Sequence, residues 1–374
     1  MIYCAKRWLL MLVLCLASTG MWAVKVKIGV LLPLKEKTNR AATMIEFYQG
    51  VLMAVDQVRT EGTDVEVYAV DCGNDESHLQ QTLANPNLAH LDVIFGPIDA
   101  VQVTSLSEFC RKHEIRMVLP FNTPCPQVYS NPWVYQVGVA QELVFPGVAS
   151  LITEKLTNSN FVIYTSGEKD SRGHSFTQHV GQVLRLRNMP VTELSADADE
   201  LAYDRALNQF RNNIIIPDSR SLTAVNKLLR SIKTYQREHP QYRIKLLGYP
   251  EWLTYTNTLL KDFYQYDTYV YTSYYRNPLS SRVGKFEQNY KRNFNKAPRA
   301  SFPRAEMLGY DLAYYFMNGL ATKGADFDDQ QGTISQQPLQ HYFNFQRVGE
   351  QGGFVNLHVQ LVHYNTNKTI QVLK

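Results

Sequence analysis

Hydrophobic and polar positions along this chain alternate between short β-like runs and longer helical stripes. Residues 26–32 are almost all apolar, the pattern of a strand buried on both faces of a parallel sheet. Over residues 41–58, Ile45, Leu52 and Val55 recur at helical spacing, with Met44, Val51 and Val58 widening the stripe. Residues 65–71 alternate as a strand and stop at the turn cluster Cys72-Gly73-Asn74-Asp75. A strand at 92–95 closed by Gly96-Pro97, a helix at 101–113 and a strand at 116–119 complete a βαβα series, which predicts a parallel α/β sheet.

A second series follows. Strands are predicted at 133–137, 161–165, 213–216, 244–247 and 268–272, with helices at 143–156, 174–186 and 222–235. Helices at 282–294 and 306–320 come next, each with one apolar face: Val283, Phe286 and Tyr290 in the first, Leu308, Leu312 and Tyr315 in the second. Strands at 342–347, 355–364 and 369–373 end the chain, with Asn365-Thr366-Asn367 as a turn. No repeat, low-complexity tract or linker separates the two series. The fold class predicted is α/β, with two lobes that share crossing strands.

The first residues change the picture. Lys6 and Arg7 precede the apolar run 8–16, which exits through Ala17, Ser18, Thr19 and Gly20. This is the form of a secretory signal, assigned to residues 1–23, and it predicts a protein that works outside the cytoplasm, in the periplasm. Leu14-Cys15 is a poor lipid-attachment site, because Leu14 is not small and Cys15 lies inside the apolar run, so a free protein is predicted over an anchored one. No later segment has the eighteen or more apolar residues of a membrane span.

Composition and charge narrow the function. With 45% hydrophobic and 19% charged residues the chain is ordinary and globular. The formal charge of +4 includes Lys6 and Arg7, so the mature chain is nearly neutral and nucleic-acid binding is not expected. Cys72, Cys110 and Cys125 are no disulfide framework; they read as small buried hydrophobes, with one pairing left open. His174/His179 and His358/His363 are five apart, poor spacing for joint metal ligation. There is no nucleophile elbow, phosphate loop or dinucleotide fingerprint, so no enzyme, cofactor or metal is predicted.

From Lys27 onward the chain resembles the type I periplasmic binding proteins, in the branched-chain amino-acid (Leu-Ile-Val-binding-like) branch of ABC-transporter substrate-binding proteins. The resemblance rests on an ordered set: Ile28-Gly29-Val30 to Pro33, Glu46-Phe47 with Gly50, Phe95-Gly96-Pro97, Ile115 to Pro120, Leu247-Gly248-Tyr249-Pro250-Glu251, and Gly309-Tyr310-Asp311. It implies two doubly wound lobes joined by three crossing strands: lobe one from residues 24–140 plus 280–374, lobe two from 141–279. It also implies a non-enzymatic protein that captures a small polar ligand, an amino acid or a peptide-like molecule, in the interlobe cleft, with an ABC permease as its partner. The rival reading is a cell-envelope interaction scaffold of the same fold, peptidoglycan-associated or regulating a wall synthase. The signal excludes the gene-repressor branch of this fold.

The resemblance carries over candidate ligand residues. Thr123, beside Asn122 in the loop after Pro120, falls where a hydroxyl holds a ligand carboxylate. Glu251 falls where an acid holds an ammonium, a charge-assisted contact. Two positions depart from the pattern. The loop after Gly96 carries Asp99 where Ser or Thr is expected, and Asp99 would repel a carboxylate. The second-lobe loop reads Arg172-Gly173, where Arg172 is either an anion contact or a solvated residue. A simple α-amino acid is therefore a doubtful ligand. Six tyrosines between Tyr264 and Tyr275 are either cleft-lining rings or the residues of a favourable strand. Eight Lys/Arg against Glu287 alone between Arg276 and Arg304 form either a docking face or a solvated one.

Overall fold

A computed structural model describes residues 25–35 and 38–374; the signal assigned to residues 1–23 lies outside the described residues. The strands, in chain order, are β1 (Lys25–Leu32), β2 (Asp64–Asp71), β3 (Val93–Phe95), β4 (Arg116–Leu119), β5 (Val134–Gln136), β6 (Ser159–Thr165), β7 (Val191–Ser195), β8 (Asn212–Pro217), β9 (Ile244–Gly248), β10 (Thr268–Thr272), β11 (Phe345–Arg347), β12 (Phe354–Asn356), β13 (Gln360–Tyr364) and β14 (Ile370–Leu373). They form two 7-stranded sheets, ordered β11-β12-β5-β4-β3-β1-β2 and β14-β13-β10-β9-β8-β6-β7. Pairing is parallel within β1–β5 and β6–β10, and antiparallel at the edges, β11–β12 in one sheet and β10–β13–β14 in the other. This is the α/β architecture that the alternating pattern predicts, in the two-lobe, doubly wound form that the resemblance implies.

The reason lies in burial on both faces. In β1, Val26, Ile28, Val30 and Leu32 join one apolar cluster, while Leu31 joins another on the opposite side of the sheet. A strand apolar on both sides needs helices on both sides, and parallel crossovers supply them. The helices Asn39–Thr60 and Ala305–Lys323 pack tightly on one side. A Cβ on Gly50 would lie 1.9 Å from the Glu306 carbonyl oxygen, and one on Gly309 would lie 2.0 Å from that of Phe47. These reciprocal glycines let the two backbones touch.

The chain passes between the sheets three times, after β5, after β10 and between β12 and β13. The last passage alters the sequence reading. The strand predicted over 355–364 is two strands, β12 and β13, in different sheets, interrupted at 357–359 where the chain changes lobe. As a result β13 and β14 pair within the second sheet, whereas the sequence division placed all of 280–374 in the first lobe. Apolar alternation cannot register this change of sheet, since both halves are buried. Among the described residues no helix is long and apolar enough to cross a membrane.

Candidate functional site

The loops at the carboxyl ends of the parallel strands meet where the chain changes lobe. There they enclose a cavity of about 260 Å³. The loop after β4 supplies Pro120, Phe121 and Asn122; that after β5 supplies Val139 and Gln141. From the second lobe come Pro250, Tyr271 and, just beyond β10, Ser273 and Tyr274. Leu308, His341 and Asn356 close the side formed by the late elements of the first lobe. Carboxyl ends of parallel strands are where open α/β sheets present loops to ligands, because the crossover connections leave from that edge.

The polar groups of this cavity are neutral. Burial pushes the His341 imidazole down to about 3, and its ring stacks on Tyr274 at 5.0 Å. Burial raises the Tyr271 phenol, and the Glu251 charge raises it further. Gln141 Oε1 is buried with no hydrogen-bond partner. Asn356 Oδ1 already accepts from the backbone N–H of Asn344 at 2.9 Å and of His358 at 3.2 Å.

Beside the cavity, the second-lobe loops are organised by Arg220. Its Nε lies 2.9 Å from Asp170 Oδ2, its Nη2 donates to Asp170 Oδ1 at 3.0 Å, and its Nη1 donates to Glu251 Oε1 at 2.8 Å. Asp170 also caps the helix Ser171–Leu186, accepting from the Gly173 N–H at 3.2 Å. Burial alone would raise the Asp170 carboxyl, but the hydrogen bonds from Arg220 outweigh it and hold the group at about 2. The Tyr249 hydroxyl donates to the Pro217 carbonyl at 2.6 Å, which ties the β9 loop to the end of β8. Ser166 donates to Asp218 at 2.6 Å, so its hydroxyl holds a loop together.

The first-lobe loop after β3 is built just as tightly. Gly96 has φ +133° and precedes a cis bond to Pro97; a Cβ there would lie 2.1 Å from the Leu31 carbonyl oxygen. Asp99 stands at the N-cap of the helix Ala100–His113 and pairs with Arg40 at 2.8 Å. Arg40 also donates to the Ile98 carbonyl at 3.0 Å, and the buried Thr123 hydroxyl donates to the same oxygen at 3.1 Å.

Of the six candidate residues, Asn122 lines the cavity and Glu251 directly follows the lining residue Pro250. Gly96, Asp99 and Thr123 gather around the Ile98 loop. Arg172 is exposed on the first turn of its helix, with no ion pair among the described residues. Sequence reasoning missed Arg220, Gln141 and His341. Only the tyrosine-rich stretch offered a signal: Tyr271 and Tyr274 reach the cavity, while Tyr266 and Tyr269 pack in the second-lobe core. Within the basic stretch Arg276, Arg299 and Arg304 pair with Glu287, Glu46 and Glu306. Among the described residues no cluster of three or more His, Cys, Asp or Glu could hold a metal ion.

No protein-family model matches the sequence, and no curated protein matches it. Solved structures do. A candidate branched-chain amino acid ABC transporter from Rhodospirillum rubrum superimposes with TM-score 0.62 at 13% identity, covering 94% of this chain and 100% of that one. A branched-chain amino acid ABC transporter periplasmic ligand-binding protein from Burkholderia xenovorans gives 0.52 at 12% identity, covering 93% and 94%. An ABC transporter substrate-binding protein from Sphaerobacter thermophilus gives 0.50 at 14% identity, covering 93% and 96%. At such identities the likeness concerns architecture, and the chain has the two-lobe fold of the type I periplasmic binding proteins.

Proposed function

We propose that this protein is an exported, non-enzymatic solute-binding protein that captures a small polar ligand between its two lobes and delivers it to an ABC importer in the cell envelope. The observation that carries this reading is the cavity of about 260 Å³, lined from both lobes where the chain changes sheet. That volume is near the lower end of small-molecule pockets, roughly 300–1,000 Å³. Two lobes joined by three short passages can close on a ligand as hinged bodies. The transport role is supported by the structural neighbours, which are ABC-transporter proteins that bind solutes.

Thermal unfolding of the purified chain from residue 24 tests this reading. A ligand at 100-fold excess over its Kd should add about 2.7 kcal/mol of stability. Small-angle scattering should register a smaller radius of gyration on binding. If no small molecule shifts the melting temperature, and an envelope protein co-purifies instead, the scaffold reading replaces this one.

A further inference from the structure

The residues that line the cavity include no Lys, Arg, Asp or Glu, and its histidine is neutral. Of the cations around it, Arg220 and Arg40 are paired, while Arg172, whose charge reaches the Tyr271 phenol, is exposed to solvent and lies outside the lining. Arg220 faces two carboxylates, Asp170 and Glu251, so that group carries an excess of negative charge. Arg40 is held by Asp99 and by the Ile98 carbonyl. Asp99 Oδ2 and Glu251 Oε2 are both buried without a hydrogen-bond partner. A ligand carboxylate would find no cation on the cavity wall, and Asp99 and Glu251 stand just behind it on the two lobes. An unpaired ion leaving water for such a site costs several kcal/mol, far more than an uncharged group of the same size.

What the cavity does offer is apolar surface and neutral hydrogen-bonding groups. Phe121, Val139, Pro250 and Leu308 give the surface; Asn122, Ser273 and the Tyr271 and Tyr274 phenols give the polarity. Gln141 Oε1, buried and unpartnered, requires a donor. We infer that the cleft takes a small uncharged molecule with an apolar ring and at least one N–H or O–H donor, and that it discriminates against free α-amino acids and other carboxylates. This inference rests on the solute-binding reading above.

Matched compounds that differ in charge test it. Calorimetric titration of the chain from residue 24 would compare benzamide, nicotinamide, uridine and inosine with benzoate, nicotinate, leucine and phenylalanine. At least one neutral compound should bind, at least about tenfold more tightly than any carboxylate in the set. Gln141→Leu should weaken that compound about tenfold with an unchanged melting temperature. Asn122→Arg, at an exposed position on the cavity wall, should bring in benzoate or nicotinate binding. A carboxylate or amino acid that binds as well as the neutral compounds overturns the inference and leaves the solute-binding reading standing. Failure of both sets to bind overturns that reading, and the inference with it.

Discussion

The Arg220 guanidinium lies 2.8 Å from the Glu251 carboxylate and makes a two-point contact with Asp170 on its other side. The acid expected to hold a ligand ammonium is thus held by the protein's own cation. Arg220→Met leaves two carboxylates facing each other and should cost about 2–3 kcal/mol, below the cost of breaking a fully buried pair because these groups are partly exposed. Glu251→Gln keeps the Asp170 contact and should cost less than about 1 kcal/mol. Urea denaturation of both variants decides the matter; equal losses would show that Arg220 is not the organiser.

Two groups should each take stability away as the pH falls. His341 sits at about 3 in the folded chain against an ordinary value near 6.5, so the unfolded state takes up the proton first and stability falls as pH drops below about 6.5. Asp170 is at about 2 against an ordinary value near 3.9; its contribution of about 2 kcal/mol is complete above about pH 4 and is lost as pH falls towards 2. Burial raises the Asp311 carboxyl to about 7, which acts in the opposite sense as pH falls from 7 towards 4, so each contribution is read from melts at pH 7, 5 and 3 as the difference between wild type and variant. The difference from His341→Gln should change over the whole span from about pH 6.5 to 3, and that from Asp170→Asn only below about pH 4.

The glycine seam between Asn39–Thr60 and Ala305–Lys323 admits no side chain. Gly309→Ala should cost about 3 kcal/mol or more, because the atom it would strike belongs to the backbone and cannot move alone. Gly284, in the helix Ser281–Phe294, has no atom within 4 Å of its would-be Cβ, and Gly284→Ala should gain roughly 0.5 kcal/mol. Thermal midpoints that move in the same direction for both variants would refute the close approach.

Cys72, Cys110 and Cys125 are free and buried. Burial pushes the Cys72 thiol up to about 12 and Cys125 to about 11, with Cys110 higher still. Thiol reagents should therefore react slowly with the native protein at neutral pH and with all three cysteines once it is denatured. Rapid native modification of Cys125 would show that its loop opens.

Much of the architecture was legible because most strands of the parallel sheets are short, apolar and closed by a turn residue, as at Gly96 after β3 and Pro217 at the end of β8, whereas the edge strand β7, which buries only Leu194, escaped. The helix Glu76–Leu83 escaped because it buries only Leu79, too little for a stripe. The helix Thr256–Gln265 escaped because it buries only Leu259 and Phe263. For the site, Glu251 could be found from a local motif. Arg220 could not, because what distinguishes it is the convergence of Asp170, 50 positions earlier, and Glu251, 31 positions later. A lone arginine after a strand carries no such information.

The segment after residue 300 completes both sheets. The helix Ala305–Lys323, β11 and β12 complete the first lobe, while β13 must reach back to β10 before the second lobe has its sixth strand. A chain stopped near residue 350 lacks β12 from one sheet and β13 and β14 from the other, so a single truncation there leaves both lobes incomplete.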